Sequence, residues 1–256
     1  MKKFILIAVV AGIAFGIFVA NILLPDEMAG APPYAPEDLE PPDMDPYEWM
    51  HDWVRPAGSP KVGLQVGHWK NDELPEELER LIGRTGSSGG GKSEWEVNLK
   101  IAEETKKILE EKGIQVELLP ATVPEDFWAD VFVAIHADGS ESSSTTGYKA
   151  AAPRRDFSGK AEDLVAFIEE EYEKATGLVK DPNVTRNMRG YYAFAWWRYD
   201  HAVHPMTPSV ILETGFLTNP SDRKMIVDKP EISVQGLAAG ILNYLQSEKL
   251  LDDSQV

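Results

Sequence analysis

Short apolar runs recur along residues 61–246 at intervals that favour a layered α/β arrangement. The runs at 62–66, 114–119, 131–135 and 209–212 are rich in β-branched and other apolar residues. Runs of this length and composition, bounded by turn residues, predict buried strands.

Between these runs, apolar residues recur every three or four positions, which predicts amphipathic helices. The predicted helices cover residues 74–82, 94–112, 158–175 and 231–246, and Asn219-Pro220 begins a further one with a cap followed by proline. Residues 147–152 are predicted to form an edge strand. Strands that alternate with helices predict a single α/β domain with a mostly parallel central sheet and helices on both faces.

The N-terminus is predicted to export the rest of the chain. Residues 1–3 are Met-Lys-Lys, and the largely apolar stretch 4–24 that follows is long enough to span a bilayer as a helix. The lysines favour a cytoplasmic N-terminus. An uncleaved transmembrane anchor is the main interpretation. A signal peptide cleaved near residues 29–31 is the alternative, and a buried core helix is a weaker one.

A spacer follows, so the predicted organisation is an anchor or signal (1–24), a linker (25–60), a folded domain (61–250) and a tail (251–256). The linker holds nine of the 18 prolines, nine acidic residues and one basic residue. Such a composition favours an extended chain. The aromatic residues near its end are expected to dock onto the domain; these are Tyr47, Trp49 and Trp53.

Charge and cysteine content exclude several kinds of partner. The formal net charge is −17, and an acidic surface repels nucleic acid. The chain has no cysteine, so disulfides and thiolate metal sites are excluded.

Residues 86–93 match the pattern of a phosphate-binding P-loop, with the lysine at Lys92. A P-loop must follow a strand, whereas residues 74–85 are predicted to be helix and loop. We therefore expect no nucleotide, and interpret the glycines as a flexible loop at the rim of a cleft.

Four polar residues stand where predicted strands end or a predicted helix begins. His68, His136 and Glu213 each follow an apolar run, and Glu94 opens a helix after the Gly-rich loop. The carboxyl ends of parallel strands meet at one edge of a sheet, where α/β proteins bind ligands. Two histidines and one carboxylate make a catalytic zinc set, and the second carboxylate then suits a general base. Ordinary loop or helix-capping roles for each residue remain the alternative.

The segments around these residues, and the order in which they follow one another along the chain, resemble those of the zinc-dependent N-acetylmuramoyl-L-alanine amidases that cleave peptidoglycan. The matching motifs are the Val-Gly-His at 66–68, the Glu-Trp-Glu-Val-Asn-Leu at 94–99, the run that ends in Ile-His-Ala at 129–137, and the Val-Ile-Leu-Glu-Thr-Gly-Phe-Leu-Thr-Asn at 210–219. The chain departs from the family's pattern in lacking the acidic residue near the first histidine, and bulky Trp69 follows that histidine.

The resemblance implies that His68, Glu94 and His136 bind Zn²⁺ and that Glu213 is the catalytic carboxylate. It implies peptidoglycan as the substrate and an extracytoplasmic location. Glu94 takes the ligand role in preference to Glu96 because it stands three residues before the valine of the motif. Glu96 is expected to close a capping box with the residue three positions before it.

Three further residues are candidates for a role at the site. Asp138 is expected either to hydrogen-bond a ligand histidine or to lie in the turn before Gly139. His201 and His204 are candidates for substrate binding or oxyanion stabilisation, with loop packing as the alternative. The aromatic cluster at 191–199 is expected mainly to pack in the core.

Other functions remain as alternatives to an exported amidase. One is a wall-binding scaffold without catalysis, and a nucleotide-binding protein is less favoured. Iron or manganese also suits two histidines and a carboxylate.

Overall fold

A computed structural model describes residues 48–252, without the side chains of Trp49 and His51. The predicted anchor or signal, most of the linker and residues 253–256 lie outside the described residues, and the predicted domain boundaries stay predictions. Within the described range, no helix has both the length and the apolar character needed to cross a membrane.

A five-stranded sheet forms the centre of the domain, in the order β4-β1-β5-β7-β6. Its strands are β1 (Lys61–Val66), β4 (Gln115–Leu119), β5 (Val131–Asp138), β6 (Lys149–Ala151) and β7 (Ser209–Phe216), and a separate hairpin joins β2 (Ser88–Gly89) to β3 (Lys92–Ser93). Four strands are parallel, and β6 runs antiparallel to β7 at one edge. The predicted mostly parallel sheet is confirmed, as is the edge strand.

The helices are α1 (Glu48–His51), α2 (Glu94–Glu111), α3 (Ala161–Thr176), α4 (Arg186–Arg189), α5 (Pro220–Arg223) and α6 (Pro230–Ser247). The predicted helix at 74–82 is a short 3₁₀ helix, Glu76–Leu81. Asn219 caps α5 as predicted, since its side chain accepts hydrogen bonds from the next two backbone N–H groups of that turn.

The two faces of the sheet are covered differently. The three long helices α2, α3 and α6 pack on one face, where apolar side chains such as Val133, Ile101 and Ile241 form the larger core. The second face is covered by the 3₁₀ helix, by α4 and by the irregular aromatic segment 190–203. Helices on both faces were predicted; the three long helices lie on one face, and the second face carries short helices and an irregular segment.

Strands β5 and β7 continue beyond the ends that the apolar runs predict. His136 and Glu213 therefore lie within strands, directly opposite each other in the parallel register. Lys149 on β6 lies opposite Glu213 on the other side. Because side chains alternate along a strand, His136 and Glu213 point to the sheet face that carries Phe132 and Ile211.

The end of the linker docks at the amino ends of the strands, opposite the end that carries His136 and Glu213. The Trp53 ring lies 6.0 Å from that of Trp128 and 5.7 Å from that of His204, between centroids, so its expected docking is confirmed. Arg55 forms a bidentate ion pair with Asp130, immediately before β5, at 2.5 and 2.8 Å.

Candidate active site

His68 is held in an unusual backbone conformation just after β1. Its φ of 64° lies in the left-handed region, which is uncommon for a residue with a side chain. Its Nδ1 lies 2.7 Å from the carbonyl oxygen of Arg84. A carbonyl only accepts, so Nδ1 carries the proton and Nε2 keeps its lone pair. That Nε2 lies 3.5 Å from Oε1 of Glu94.

Glu94 begins α2 and is buried. Its carboxylate accepts hydrogen bonds from the backbone N–H groups of Ser87, at 2.6 Å, and Ala137, at 3.1 Å. Burial alone would raise the pKa of Glu94, but the hydrogen bond with His136 and the nearby histidine charges lower it to about 2. Glu94 is therefore a fixed, ionised carboxylate at the start of a helix.

His136 is oriented by a chain of hydroxyl groups. Its Nε2 lies 3.1 Å from the Tyr191 hydroxyl, which donates to the Tyr192 hydroxyl at 3.2 Å. Tyr192 in turn donates to the carbonyl oxygen of Ala121. Both tyrosine hydroxyls thus donate their protons in the direction of Ala121. The Tyr191 oxygen can then only accept from His136, so Nε2 of His136 is the donor. Its Nδ1 then faces Oε1 of Glu94 at 3.0 Å, where it donates to the carboxylate when the ring is protonated and carries the lone pair when the ring is neutral.

These three side chains fit a metal ion by their chemistry. One ligand atom from each of His68, Glu94 and His136 lies within 4.8 Å of the others. Ligands about 2.0–2.1 Å from a tetrahedral Zn²⁺ lie roughly 3.4 Å apart, close to the 3.0 and 3.5 Å separations found here. Each histidine also has its outer ring nitrogen bound to an oxygen, as metal-binding histidines usually do.

Two glycines leave room for the cluster. A Cβ atom on Gly67 would lie 2.5 Å from the His136 ring. A Cβ atom on Gly86 would lie 2.3 Å from Oε2 of Glu94 and 2.6 Å from the His68 ring. Gly86 also has a φ of 73°, which favours glycine.

Glu213 lies beside the cluster on the neighbouring strand. Its Oε2 is buried and has no hydrogen-bond partner among the described residues. Burial raises the pKa of Glu213 to about 8, although the positive charge of a protonated His136 opposes the rise. An unpartnered carboxylate with a raised pKa is suited to accept and release a proton near neutral pH.

The family model of the N-acetylmuramoyl-L-alanine amidases (Amidase_3) matches residues 62–243, which is most of the chain. The chain belongs to this family. The match begins in β1 and ends in α6, so it includes every residue of the cluster and Glu213.

Curated relatives of this amidase-family chain include probable cell wall amidases named LytH. The protein from Staphylococcus epidermidis (strain ATCC 12228 / FDA PCI 1200) is 24% identical over 200 residues, covering 75% of this chain and 60% of the relative. The Staphylococcus aureus protein is 25% identical over 180 residues, covering 64% of this chain and 57% of the relative. The chain thus spans about 60% of the length of these relatives.

Solved amidase structures share the fold. An N-acetylmuramoyl-L-alanine amidase from Clostridium difficile 630 aligns with a TM-score of 0.54 at 19% identity, covering 75% of this chain and 100% of that one. AmiC2 of Nostoc punctiforme aligns with a TM-score of 0.52 at 21% identity, covering 75% and 99%. At these identities the likeness concerns the fold alone.

Among the described residues, Asp138 forms no hydrogen bond with either histidine of the cluster. It accepts the backbone N–H of Gly139 at 2.7 Å and pairs with Lys149 at 2.6 Å. The expected bond to a ligand histidine is therefore wrong. The alternative, a carboxylate bonded in the turn before Gly139, is the one observed.

His201 and His204 lie at the opposite end of the sheet. His201 bonds to Glu77 through Nδ1 at 2.8 Å, and His204 donates its backbone N–H to the Phe127 carbonyl, four residues before β5 begins. His136 lies near the other end of that strand. The structure thus does not bring these two histidines to the cluster. They lie in the segment before the start of β7, whereas the cluster lies near the carboxyl ends of the strands.

Two residues next to the site were missed from the sequence. Tyr191 belongs to a cluster expected mainly to pack in the core, but its hydroxyl contacts His136. Lys149 in the edge strand had no assigned role, and it forms ion pairs near Glu213. A lysine followed by three alanines within a predicted strand is the sequence signal that was available for the second.

The P-loop look-alike is a β-hairpin. Residues 88–93 form β2 and β3, and the segment before them is a 3₁₀ helix followed by turns. Ser93 caps the start of α2, and its backbone N–H is bonded to Oε2 of Glu96 at 2.9 Å, so the predicted capping-box bond is confirmed. This geometry lacks the strand from which a P-loop starts.

Proposed function

We propose that the protein is a zinc-dependent hydrolase that cleaves the amide bond between N-acetylmuramic acid and L-alanine in peptidoglycan. One arrangement supports this most: the His68–Glu94–His136 cluster lies beside Glu213, which pairs in register with His136 on the adjacent strand. The Oε2 atom of Glu213 has no hydrogen-bond partner among the described residues. Membership of the amidase family supports the substrate.

In this proposal His68 binds Zn²⁺ through Nε2, His136 through Nδ1 and Glu94 through its carboxylate. When bound, zinc polarises a carbonyl oxygen and lowers the pKa of water to near 7. Arg84 and Tyr191 keep the two imidazoles in the required tautomers, and the backbone N–H groups of Ser87 and Ala137 hold the Glu94 carboxylate in place.

Glu213 is the proposed general base and then general acid. It takes a proton from the water that attacks the amide carbon, and later gives a proton to the nitrogen of L-alanine as the carbon–nitrogen bond breaks. The products are a carboxylic acid on the muramic acid side and a free amino group on the peptide. The buried, unpartnered Oε2 supports this role.

The proposed location is outside the cytoplasm, with the domain attached to the membrane by residues 4–24 or released after signal cleavage. The apolar stretch after two lysines supports export, as do relatives named cell wall amidases. Fractionation of cells that express the full chain tests this. Recovery in the cytosolic fraction would contradict export.

Replacement of Glu213 by glutamine tests the chemistry. Glu213→Gln keeps the size of the side chain and removes its basic oxygen, so zinc content should stay near one ion per chain. The rate of cleavage should fall by about 10²–10⁴-fold, the usual contribution of a general base. The product, a stem peptide with a new free L-alanine amino group, is measured by mass spectrometry.

Two results would contradict the proposal. Wild-type cleavage by Glu213→Gln would exclude the role of this carboxylate. A wild-type protein that binds zinc and cell wall but cleaves no peptidoglycan fragment would favour the wall-binding scaffold. Elemental analysis of the purified protein distinguishes zinc from iron and manganese.

A further inference from the structure

A buried lysine lies beside the proposed base. Lys149 is 5% exposed and stands on the edge strand β6, directly opposite Glu213 on β7. Side chains of directly opposed residues in antiparallel strands have Cβ atoms about 4.5–5.5 Å apart. The Lys149 side chain is therefore long enough to place its ammonium group on the Glu213 carboxylate.

The ammonium group of Lys149 is instead held by two other carboxylates. It lies 2.6 Å from Oδ2 of Asp138 and 3.0 Å from Oδ2 of Asp181, and it stands over the Phe216 ring, 5.1 Å from its centroid. Glu213 is not an ion-pair partner of Lys149 in the part of the chain that the structure describes. Its Oε2 stays without a partner, although a cation is within reach.

Asp181 is itself rigidly placed. Its Oδ1 accepts the backbone N–H of Asn183 at 3.0 Å and the side-chain amide of Asn183 at 2.6 Å. Its own backbone N–H donates to the carbonyl oxygen of Tyr148 at 2.7 Å, one residue before Lys149. Asp181, one of the two residues whose carboxylates hold the lysine, is thus fixed through both its side chain and its backbone.

We propose that Asp181 is a positioning residue that holds Lys149 away from Glu213 and so keeps the Glu213 carboxylate free to take a proton. A buried ammonium and a half-buried carboxylate on opposed residues attract each other, and water screens this attraction less than at an exposed surface. A direct pair would occupy the Glu213 oxygen that has to face the attacking water, so the carboxylate would no longer be free for it. This inference rests on the proposed function of Glu213.

A single variant and a double variant test the inference, because the second substitution should restore the kcat that the first one lowers. Asp181→Asn keeps the shape and removes the charge, so Lys149 should turn to Glu213 and kcat should fall by on the order of tenfold or more. The double variant Lys149→Met with Asp181→Asn removes the misplaced cation as well. Its kcat should recover to within about threefold of wild type, a non-additivity expected of coupled neighbours.

The matched control is Asp130→Asn, which also breaks an ion pair of a buried carboxylate but at the opposite end of the strands. It should lower thermal stability with kcat unchanged, whereas Asp181→Asn should lower kcat in the folded protein. Wild-type kcat in Asp181→Asn, or a double variant no better than Asp181→Asn, would overturn the inference.

A crystal structure of Asp181→Asn gives a result that does not depend on activity. We expect the Lys149 ammonium within hydrogen-bond distance of a Glu213 carboxylate oxygen. An ammonium that stays on Asp138 with Glu213 unpaired would overturn the inference. If the wild type cleaves no peptidoglycan but the lysine moves as expected, the proposed function fails while the restraint of Lys149 by Asp181 stands.

Discussion

Each candidate ligand histidine presents one ring nitrogen to the cluster because its other ring nitrogen is bonded to an oxygen. The oxygen is the Arg84 carbonyl for His68 and the Tyr191 hydroxyl for His136. Burial lowers the pKa of His68, which favours the neutral ring that binds metals. These contacts set which nitrogen is free, so they belong to the site as much as the ligands do.

The first residue-scale prediction separates neighbouring glutamates. Glu94→Gln should reduce zinc affinity sharply and abolish cleavage, because a charged ligand is lost. Glu96→Gln should leave both unchanged, since glutamine also accepts the Ser93 N–H at the third position of a capping box. Zinc content after dialysis measures the difference. If Glu96→Gln loses zinc and Glu94→Gln keeps it, Glu96 is the ligand and the assignment to Glu94 is wrong.

A second prediction compares adjacent tyrosines. Tyr191→Phe removes the hydroxyl that orients His136, so zinc affinity should fall by about 10–100-fold, as for other orienting partners of metal ligands. Tyr192→Phe removes the second hydroxyl of the chain but leaves the Tyr191 hydroxyl on His136, so its loss of zinc affinity should be smaller and its main effect should be on stability. Competition titration with a chelating dye measures both affinities. Equal affinity in wild type and Tyr191→Phe would exclude the orienting role.

At the scale of elements, the hairpin before α2 shapes the site. Its Ser87 donates a backbone N–H to Glu94 and a hydroxyl to the carbonyl oxygen of Ala137, so the loop is attached to both α2 and β5. The glycine-rich sequence was interpreted as a flexible loop. The contacts instead hold it against the candidate ligands.

Two glycines of this segment make a matched test. Gly86 and Gly83 both have positive φ, of 73° and 78°, so alanine at either position costs about 1 kcal/mol of backbone strain. Only at Gly86 does the added Cβ meet Glu94 and His68; at Gly83 nothing lies within 4 Å. Gly86→Ala should therefore lose zinc affinity and activity, while Gly83→Ala should lose only stability. Isothermal titration with zinc and a thermal melt distinguish them, and equal zinc affinity in the two variants would contradict the packing argument.

At the scale of the whole molecule, the two ends of the sheet have different roles. The cluster gathers near the carboxyl ends of β1, β5 and β7, as ligand sites in open α/β sheets do. The other end anchors the segment that precedes the domain, through Trp53 and Arg55. Changes at that end should alter stability without altering the chemistry.

Arg55→Met tests this separation. It leaves the buried Asp130 carboxylate without its bidentate partner, which should cost about 1–3 kcal/mol of unfolding free energy. Urea unfolding measures the loss. Zinc affinity and kcat should stay at wild-type values, because Asp130 and His136 lie at opposite ends of β5. A change in kcat larger than the change in folded fraction would show that the two ends are coupled.

The fold class and the four principal residues were predictable because their signals are local. Apolar runs mark strands, and the capping residues mark where α2 and α5 begin. His68, His136 and Glu213 follow such runs, and Glu94 opens a helix. The exact strand ends were not predictable, since β5 and β7 extend through polar residues that a neighbouring strand pairs.

The sequence by itself determined the order of the elements, the amidase family motifs and the candidate ligands, because each depends on residues close together in the chain. Only the tertiary structure decided which side chains complete the site and which do not. Tyr191 reaches His136 across 55 residues, and Lys149 reaches Asp181 across 32. His201 and His204 lie close to β7 in sequence yet at the far end of the sheet. Contacts of this range depend on how strands and loops pack in space, and periodicity along the chain carries no information about them.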